Sequence, residues 1–590
     1  MQLLSLLIKR LILTLLVIPL IALPIAYFTL QTHQGAKWIS HWLSNDNNNY
    51  QISIQQIRHS FTSPLRVDLK GLLVKRKGQE IINVADAFAI FNGNPLSNPN
   101  WLWHLQLENG RIIVKYPSLN GIQLRSDWLL IKNVELDITT PNNHIILRRV
   151  SAGIRPWTPN DTTVDSSFRL SASTFSVNEH NCRNLLILGG MKKGNLIIES
   201  FGADLPNGDI TGQIIQYRNN KVWQVNNLYL NHFRWQSEQS PLELFNKINI
   251  FSGLDIRQLN IIGASFEGPD WALNDASLSL QNIRWRKGQW SAQNNSKINF
   301  NAESIVYGDL YLNDPIVKLG VTGHDIDIQQ LNARWQGGLL KAEGQWRNDE
   351  LTLNNVILSA VEYTLPSNWR SLIDYPFPDW LKSFKINNLK SGRNVIIDTN
   401  PQFPFQLTLL DIDGQNLTLL KDRRFSLWDG KLNIHADNAT FNKIDIRYPR
   451  LEINGEQTDI AAEFSTFIDR GIMEGKLAAD KSHRGGFTLD LTGQNVPLHA
   501  LNAWHWQPTL PDREGSFYLT MSGLNSDTTV NGKLQATDEQ GEKIEQTLAP
   551  KEADTVRQET ENLSASLQPA SALFKSAETS AEQPGLHTAP

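Results

Sequence analysis

From Tyr50 to about Thr537 the chain alternates apolar and polar residues with a period of two. The alternation is clearest in Gln51-Ile-Ser-Ile-Gln-Gln-Ile57, Arg66-Val-Asp-Leu-Lys-Gly-Leu72, Asn133-Val-Glu-Leu-Asp-Ile138, Ala276-Ser-Leu-Ser-Leu-Gln-Asn-Ile283, Lys297-Ile-Asn-Phe-Asn-Ala302 and Lys431-Leu-Asn-Ile-His-Ala436. Successive side chains of a strand point to opposite faces, so each segment predicts a strand with one apolar and one wet face. Turn-type pairs such as Asn109-Gly110, Asn207-Gly208, Gly337-Gly338 and Asn454-Gly455 separate the strands and predict antiparallel neighbours. Glycine-bounded strands recur, as in Gly208–Gly212, Gly338–Gly344, Gly471–Gly475, Gly486–Gly493 and Gly515–Gly523, but at irregular spacing. They describe a sheet that grows strand by strand rather than a named repeat. Helical patterns are expected only over Pro241–Phe251, Leu365–Phe384 and Val496–Trp506. These either cap an open end or seam of the sheet or serve as crossover connections. Beyond Asp538 the composition shifts to Glu, Gln, Ser, Ala, Thr and Pro, which predicts a disordered tail.

A different pattern opens the chain. Leu11 to Leu30 holds no charge, and its apolar positions include Leu11, Ile12, Leu15, Leu16, Val17, Ile18, Leu20, Ile21, Leu23, Ile25, Tyr27, Phe28 and Leu30. Twenty helical residues span roughly 30 Å, the hydrocarbon thickness of a bilayer. Lys9 and Arg10 precede the run and would hold the N-terminus in the cytoplasm. The run exceeds the usual apolar region of a cleaved signal and lacks a small-x-small exit, so it reads as an uncleaved anchor. The alternative, an unusually long signal, predicts a mature chain from near residue 31. Trp38, Ile39, Trp42 and Leu43 then recur at helical spacing, which predicts one shared face. That face either lies in the headgroup layer of the membrane or packs on the first strands. The expected organisation is a cytoplasmic stub and transmembrane anchor (1–30), a juxtamembrane amphipathic helix (31–48), a periplasmic β-rich body (49–537) and the tail (538–590).

Composition narrows the function. The chain has 590 residues, a net charge of −4 and no basic stripe, so nucleic acid is not an expected partner. Hydrophobic residues make up 41%, enough for a core. The lone Cys182 cannot form an intramolecular disulfide; its neighbour Arg183 would in principle lower a thiol pKa, but a lone Cys just before the strand Leu185–Leu188 reads as inert. No P-loop, GxGxxG, GxSxG, HExxH or CxxC motif is present. His324, Asp325 and Asp327, Asp411 and Asp413, and His499 with His505 read as wet strand faces or unconverged helix positions rather than metal or acid–base sites. No cofactor, metal site or catalytic residue is expected, and the chain does not read as an enzyme. An envelope enzyme acting on glycans, with scattered Trp residues stacking sugars, is the least favoured class.

A ladder of one-sided strands permits binding along a surface. If the sheet curls and two apolar faces meet, the interior is dry; if it curls without closing, an apolar groove results. The scarcity of wholly apolar strands favours the groove, and Leu280, Phe300 and Leu432 are candidate lining residues, with Ser279, Asn299 and Asn433 on the wet face. As a single extended ladder the region would reach on the order of 170–200 Å. The expected fold is therefore mainly β: one N-terminal transmembrane helix, then an elongated, curled, groove-like antiparallel sheet with a few short helices and a disordered C-terminal tail.

The anchor followed by Leu30-Gln-Thr-His-Gln-Gly35 and Ile39…Leu43, together with Gly268-Pro-Asp-Trp271, Tyr307-Gly-Asp-Leu-Tyr-Leu-Asn-Asp-Pro315, Arg334-Trp-Gln-Gly-Gly338, Glu362-Tyr-Thr-Leu-Pro-Ser-Asn-Trp369 and Asn394-Val-Ile-Ile-Asp398, resembles the AsmA family of inner-membrane-anchored envelope proteins of Gram-negative bacteria. The resemblance covers roughly residues 1–540. It implies one membrane helix, a periplasmic β-rich body and no catalytic residues; large relatives are thought to be lipid-conducting β-grooves, and smaller ones are linked to outer-membrane assembly and lipid homeostasis. The chain departs from longer relatives after Asn531-Gly-Lys-Leu-Gln-Ala-Thr537, where a further strand-and-helix module is missing. The expected function is binding or conveying phospholipid along the groove in envelope homeostasis, from an inner-membrane location. The alternative is a scaffold that assists outer-membrane protein assembly through β-edge contacts, without lipid transfer.

Overall fold

The computed structural model describes residues 21–22, 24–44, 50–93, 102–115, 125–140, 143–159, 161, 163–177, 180–218, 222–238, 253–286, 289–369, 377–482, 485–506, 509–524 and 530–548. The chain divides into two compact units, residues 1–334 and 335–590. Both are built from long strands hydrogen-bonded in sequence order, as the period-two pattern requires. Most neighbours are antiparallel, beginning with Tyr50–Ser60 against Ser63–Arg76 and that strand against Gln79–Phe91.

Three junctions depart from the expected antiparallel order. Leu102–Lys115 runs parallel to Ser126–Thr139, Trp223–Asn231 parallel to Gly253–Glu267, and Glu350–Ser359 parallel to Ser383–Asp398. Each is followed by a hairpin partner, respectively His144–Arg155, Trp271–Arg286 and Phe405–Lys421. The three junctions are copies of one another. Across their three strands lie left-handed residues in matching places: Asn109, Asn133 and Arg149; His232, Gly263 and Asp275; Ala360, Arg393 and Leu409. The middle members, Asn133, Gly263 and Arg393, are 130 residues apart. Each set brackets a bulge centred on a buried pair: Val134 with Val150, Ala264 with Ala276, Asn394 with Leu410. Bulges bend a strand and sharpen its twist, so the bend recurs with this period. The second and third copies also share the hairpin beyond, where Ala302 N–H donates to Pro315 O (3.2 Å) and Ala436 N–H to Pro449 O (3.0 Å).

Asn109-Gly110 is therefore part of a bulge inside a strand, not a turn. Gly110 is required there: a Cβ would sit 2.1 Å from Asn83 O. Helical content is smaller than the sequence pattern predicts. Helix α1 covers His33–Leu43 of the 31–48 expectation. The described parts of 365–382 form turns, and a strand begins at Ser383. Helix α2 is only His499–Ala503, because Val496 and Pro497 finish the strand Gly486–Pro497. Residues 241–251 lie outside the described residues. The body also runs past the expected tail boundary at 538: Lys543–Leu548 pairs antiparallel with Val530–Asp538. Asp538 holds that turn by accepting from Gln540 N–H (3.0 Å) and Glu542 N–H (2.8 Å) while pairing with Arg513 (2.8 Å). The remaining tail, 549–590, lies outside the described residues.

Candidate functional site

The site is a face of the sheet rather than a pocket. In the first unit one side-chain row runs in direct cross-strand register through Ile57, Leu69, Ala87, Leu107, Ile131, Ala152, Leu170, Ile187, Phe201, Gly212, Leu228, Leu259, Leu280, Ile298 and Leu319. Every member is apolar or glycine. At about 4.8 Å per strand the row is roughly 65–70 Å long, measured along the sheet. A neighbouring row carries Leu230, Ile261, Leu278, Phe300 and Val317. In the second unit an equivalent row runs through Ala342, Val356, Leu389, Gly414, Leu432, Ile453, Ala462, Leu477, Leu489, Met521, Gly532 and Leu548. The sequence-predicted Leu280, Phe300 and Leu432 thus sit within continuous apolar rows, and Ser279 pairs with Asn260 and Asn299 on the reverse side. The contrast in burial is weaker than the pattern predicts: Leu280, Phe300, Leu432, Ser279, Asn299 and Asn433 are all half-buried.

The row changes along its length. Near its start it is buried, with Val84, Ala87, Leu107, Ile131, Val134, Leu147, Val150, Ala152 and Ala172 forming one cluster. From Leu170 onward most members are half-buried. Helix α1 covers the first strands: Ala36 and Ile39 pack on Ile52, Ile54, Ile57, Val67, Leu69 and Leu72. In the second unit the segment around α2 covers the last strands, where Leu498, Leu501, Trp504 and Trp506 join Leu491, Leu519 and Leu534. Trp504 donates to Phe441 O (3.1 Å) and Trp506 to Gln546 Oε1 (2.9 Å), so both indoles are oriented. Each unit therefore holds a helix that covers one end of its apolar face.

The four residues predicted to share a face on α1 do not. Ile39 packs on the sheet, while Trp38 and Trp42, four residues apart, are 58% and 81% exposed and Leu43 is exposed beside them. The sheet takes the Ala36–Ser40 side, where the small buried residues let the helix approach closely and Ile39 packs beside them. The helix also seals the free edge of the first strand. Ser40 Oγ accepts from Ile54 N–H (2.9 Å), Ser44 Oγ from Ile52 N–H (3.0 Å), and His33 Nδ1 lies 3.0 Å from Gln55 O. A helical stretch at residues 24–30 leads into α1, and Tyr27 OH reaches His59 Nδ1 (2.9 Å) and His59 O (3.0 Å) while stacking on Phe61. Gly35 makes the elbow possible, since a Cβ would lie 2.3 Å from Thr29 O. Ile21, Ile25, Phe28 and Leu30 are exposed. Lys9, Arg10, Leu11, Ile12, Leu15, Leu16, Val17, Ile18, Leu20 and Leu23 lie outside the described residues. Among the described residues no helix is long and apolar enough to cross a membrane.

The reverse face is polar and cross-linked. Lys70 pairs with Asp86, Lys385 with Glu350 (2.9 Å) and Lys431 with Glu452. The hydrogen bond from each lysine holds its carboxylate below the ordinary value. Burial pushes Asp137 up, but hydrogen bonds from His144 and Arg111 outweigh it and its pKa ends lowered. Asp325 and Asp327 are exposed on one strand, as the pattern predicts. His435 Nε2 approaches Asp411 at 3.4 Å, and His499 Nδ1 approaches Asp512 at 2.7 Å. Among the described residues no three His, Cys, Asp or Glu side chains converge on a metal-sized site. Cys182 lies inside the strand His180–Lys192, and burial raises its thiol pKa, the opposite of activation by Arg183.

A curated relative, the AsmA family protein YicH of Escherichia coli K12, is 32% identical over 554 residues, 92% of this chain and 96% of the relative. The chain belongs to the AsmA family. No family model matches it, and no solved structure matches it. As an AsmA protein it is an envelope protein, and each of its two units is built from mostly antiparallel β-strands. The sequence motifs that carry the resemblance acquire physical roles: Gly35 closes the elbow before α1, and Asn394 holds a bulge by donating to Ser391 Oγ (2.7 Å) and Leu410 O (3.0 Å) and accepting from Val361 N–H (3.0 Å). Sequence reasoning missed the bulge residues, because Asn, His, Ala, Arg, Asp and Leu occupy equivalent left-handed positions and share no motif.

Proposed function

We propose that this AsmA protein is anchored in the inner membrane by residues 11–30, with its body in the periplasm, and binds or conveys phospholipid along the apolar face of its sheet. The carrying observation is the unbroken register of apolar side chains in each unit. A soluble one-sided sheet must cover such a face or lend it to a ligand, and beyond Leu170 it is only half-buried. An acyl chain laid along it gains about 0.8 kcal/mol per CH2 removed from water. The recurrent bulges supply the bend that would curl the sheet around that chain. The exposed Trp38 and Trp42 suit the headgroup layer, which puts the start of the face beside the lipid source. No covalent chemistry is invoked, and no cofactor is needed.

The rival reading is a scaffold for outer-membrane assembly that works through a sheet edge. The sealed first strand removes one such edge, whereas Lys543–Leu548 pairs on one side only among the described residues. Lipid analysis of the full chain, purified in mild detergent, separates the two. Phospholipid should copurify at one or more molecules per chain and fall by more than half in Leu280→Lys and Leu432→Lys. Lipid-free protein, or lipid indifferent to both substitutions, would favour the scaffold.

A further inference from the structure

The polar face carries a depression that the lipid reading does not use. It is a hollow of about 600 Å3 over Gly153, in the strand His144–Arg155 of the first unit. Gly153 pairs with Leu130 on one side and with Arg169 on the other. Gly153 raises no side chain, and the Trp128 indole and Leu130 lie against it: the point where a Cβ would stand is 3.5 Å from Trp128 Nε1 and 3.7 Å from Leu130 Cδ1. Trp128 forms one wall and is 39% exposed. Arg155 ends the same strand as Gly153, Arg169 stands opposite it on the neighbouring strand Ser166–Val177, and no acidic side chain among the described residues lines the hollow. Neither guanidinium has a carboxylate partner among the described residues, in contrast to Lys70, Arg111 and Lys132 on the same face.

Trp128 is also the end of a stack. Arg66 lies over Phe88 at 4.3 Å, Phe88 stacks on His104 at 5.3 Å, and His104 meets Trp128 edge-on at 4.7 Å. The buried His104 thereby fixes the indole from behind and leaves its outer side to the hollow. Ser171 Oγ donates to Ser151 O (3.3 Å) and Ser167 Oγ to Arg155 O (3.4 Å), so each hydroxyl keeps lone pairs for an incoming O–H donor.

We propose that this hollow is a binding site for an acidic saccharide. The apolar face of a sugar ring stacks on Trp128, its carboxylate or phosphate takes the forked donors of Arg155 and Arg169, and its hydroxyls donate to the serines. The apolar row through Ile131, Ala152 and Leu170 lies on the opposite side of the sheet, out of reach of the acyl chains of a lipid-borne sugar bound here, so the ligand is a free or polymeric saccharide. Calorimetric titration of the full chain in detergent at physiological ionic strength tests this with three probes: trigalacturonate, neutral maltotriose and inorganic phosphate. Trigalacturonate should bind saturably and at least tenfold more tightly than either of the others. Arg169→Gln and Arg155→Gln should each weaken it about tenfold or more, and Gly153→Leu, which fills the floor, should abolish it. No saturable binding of trigalacturonate, equal binding by both arginine variants, or phosphate binding as tightly as the sugar would overturn the proposal. The arginine variants change only exposed side chains, so they remain informative should Gly153→Leu fail to fold.

Discussion

Asn394 shows how one residue can hold what two other copies leave to apolar packing. Val134 and Ala264 fill the same bulge centre with methyl groups; Asn394 instead satisfies the disturbed ladder with three hydrogen bonds. Elsewhere, single polar residues tie strands together by charge. The Lys70 hydrogen bond lowers the pKa of Asp86, that of Lys385 lowers Glu350, and that of Arg513 lowers Asp538. A carboxylate whose folded pKa is depressed adds stability above its unfolded value, and that stability drains as pH falls through the folded one. The melting temperature should therefore fall as pH drops below the ordinary carboxylate range, about 4. In Asp86→Asn/Glu350→Gln the same descent should be shallower, and an unchanged slope would remove these pairs from the account.

Among elements, the period-two pattern made the strands legible because each has one face on the core. The connections were less legible. Glycine and asparagine turns predicted antiparallel neighbours, yet three parallel junctions were invisible because long connections carry no period. The tail boundary was set too early, since Lys543–Leu548 is too polar to read as a strand and is held instead by the Asp538 turn and by Ile544 packing on the core. Helix α1 occupies His33–Leu43 with its indoles outward and its small residues inward. Its function as an edge cover follows from Ser40 and Ser44, which an apolar-face reading overlooks. Ser40→Ala would leave the Ile54 N–H without a partner at a cost of about 1–3 kcal/mol. Hydrogen exchange at Ile54 should then accelerate more than tenfold, with exchange in the second unit unchanged; equal protection at Ile54 would show that the hydroxyl does not seal the edge.

At the scale of the whole molecule, Leu280, Phe300 and Leu432 were chosen from alternation alone, and each proves to belong to an apolar row crossing many strands. Alternation reveals which side of a strand is apolar. It cannot reveal whether something covers that side, because a closed core and a lipid-lined face need the same residues. In each unit a helix covers one end of the row and leaves a half-buried stretch beyond, which is why lipid is the proposed occupant. The most direct measurement is photocrosslinking in cells, with a photoreactive side chain at Leu280, Phe300 or Leu432 and, as controls on the reverse face, at Ser279, Asn299 or Asn433. Phospholipid adducts should form at the first three positions and not at the controls. Absence of lipid at all six, with crosslinks only to protein, would contradict lipid as the occupant.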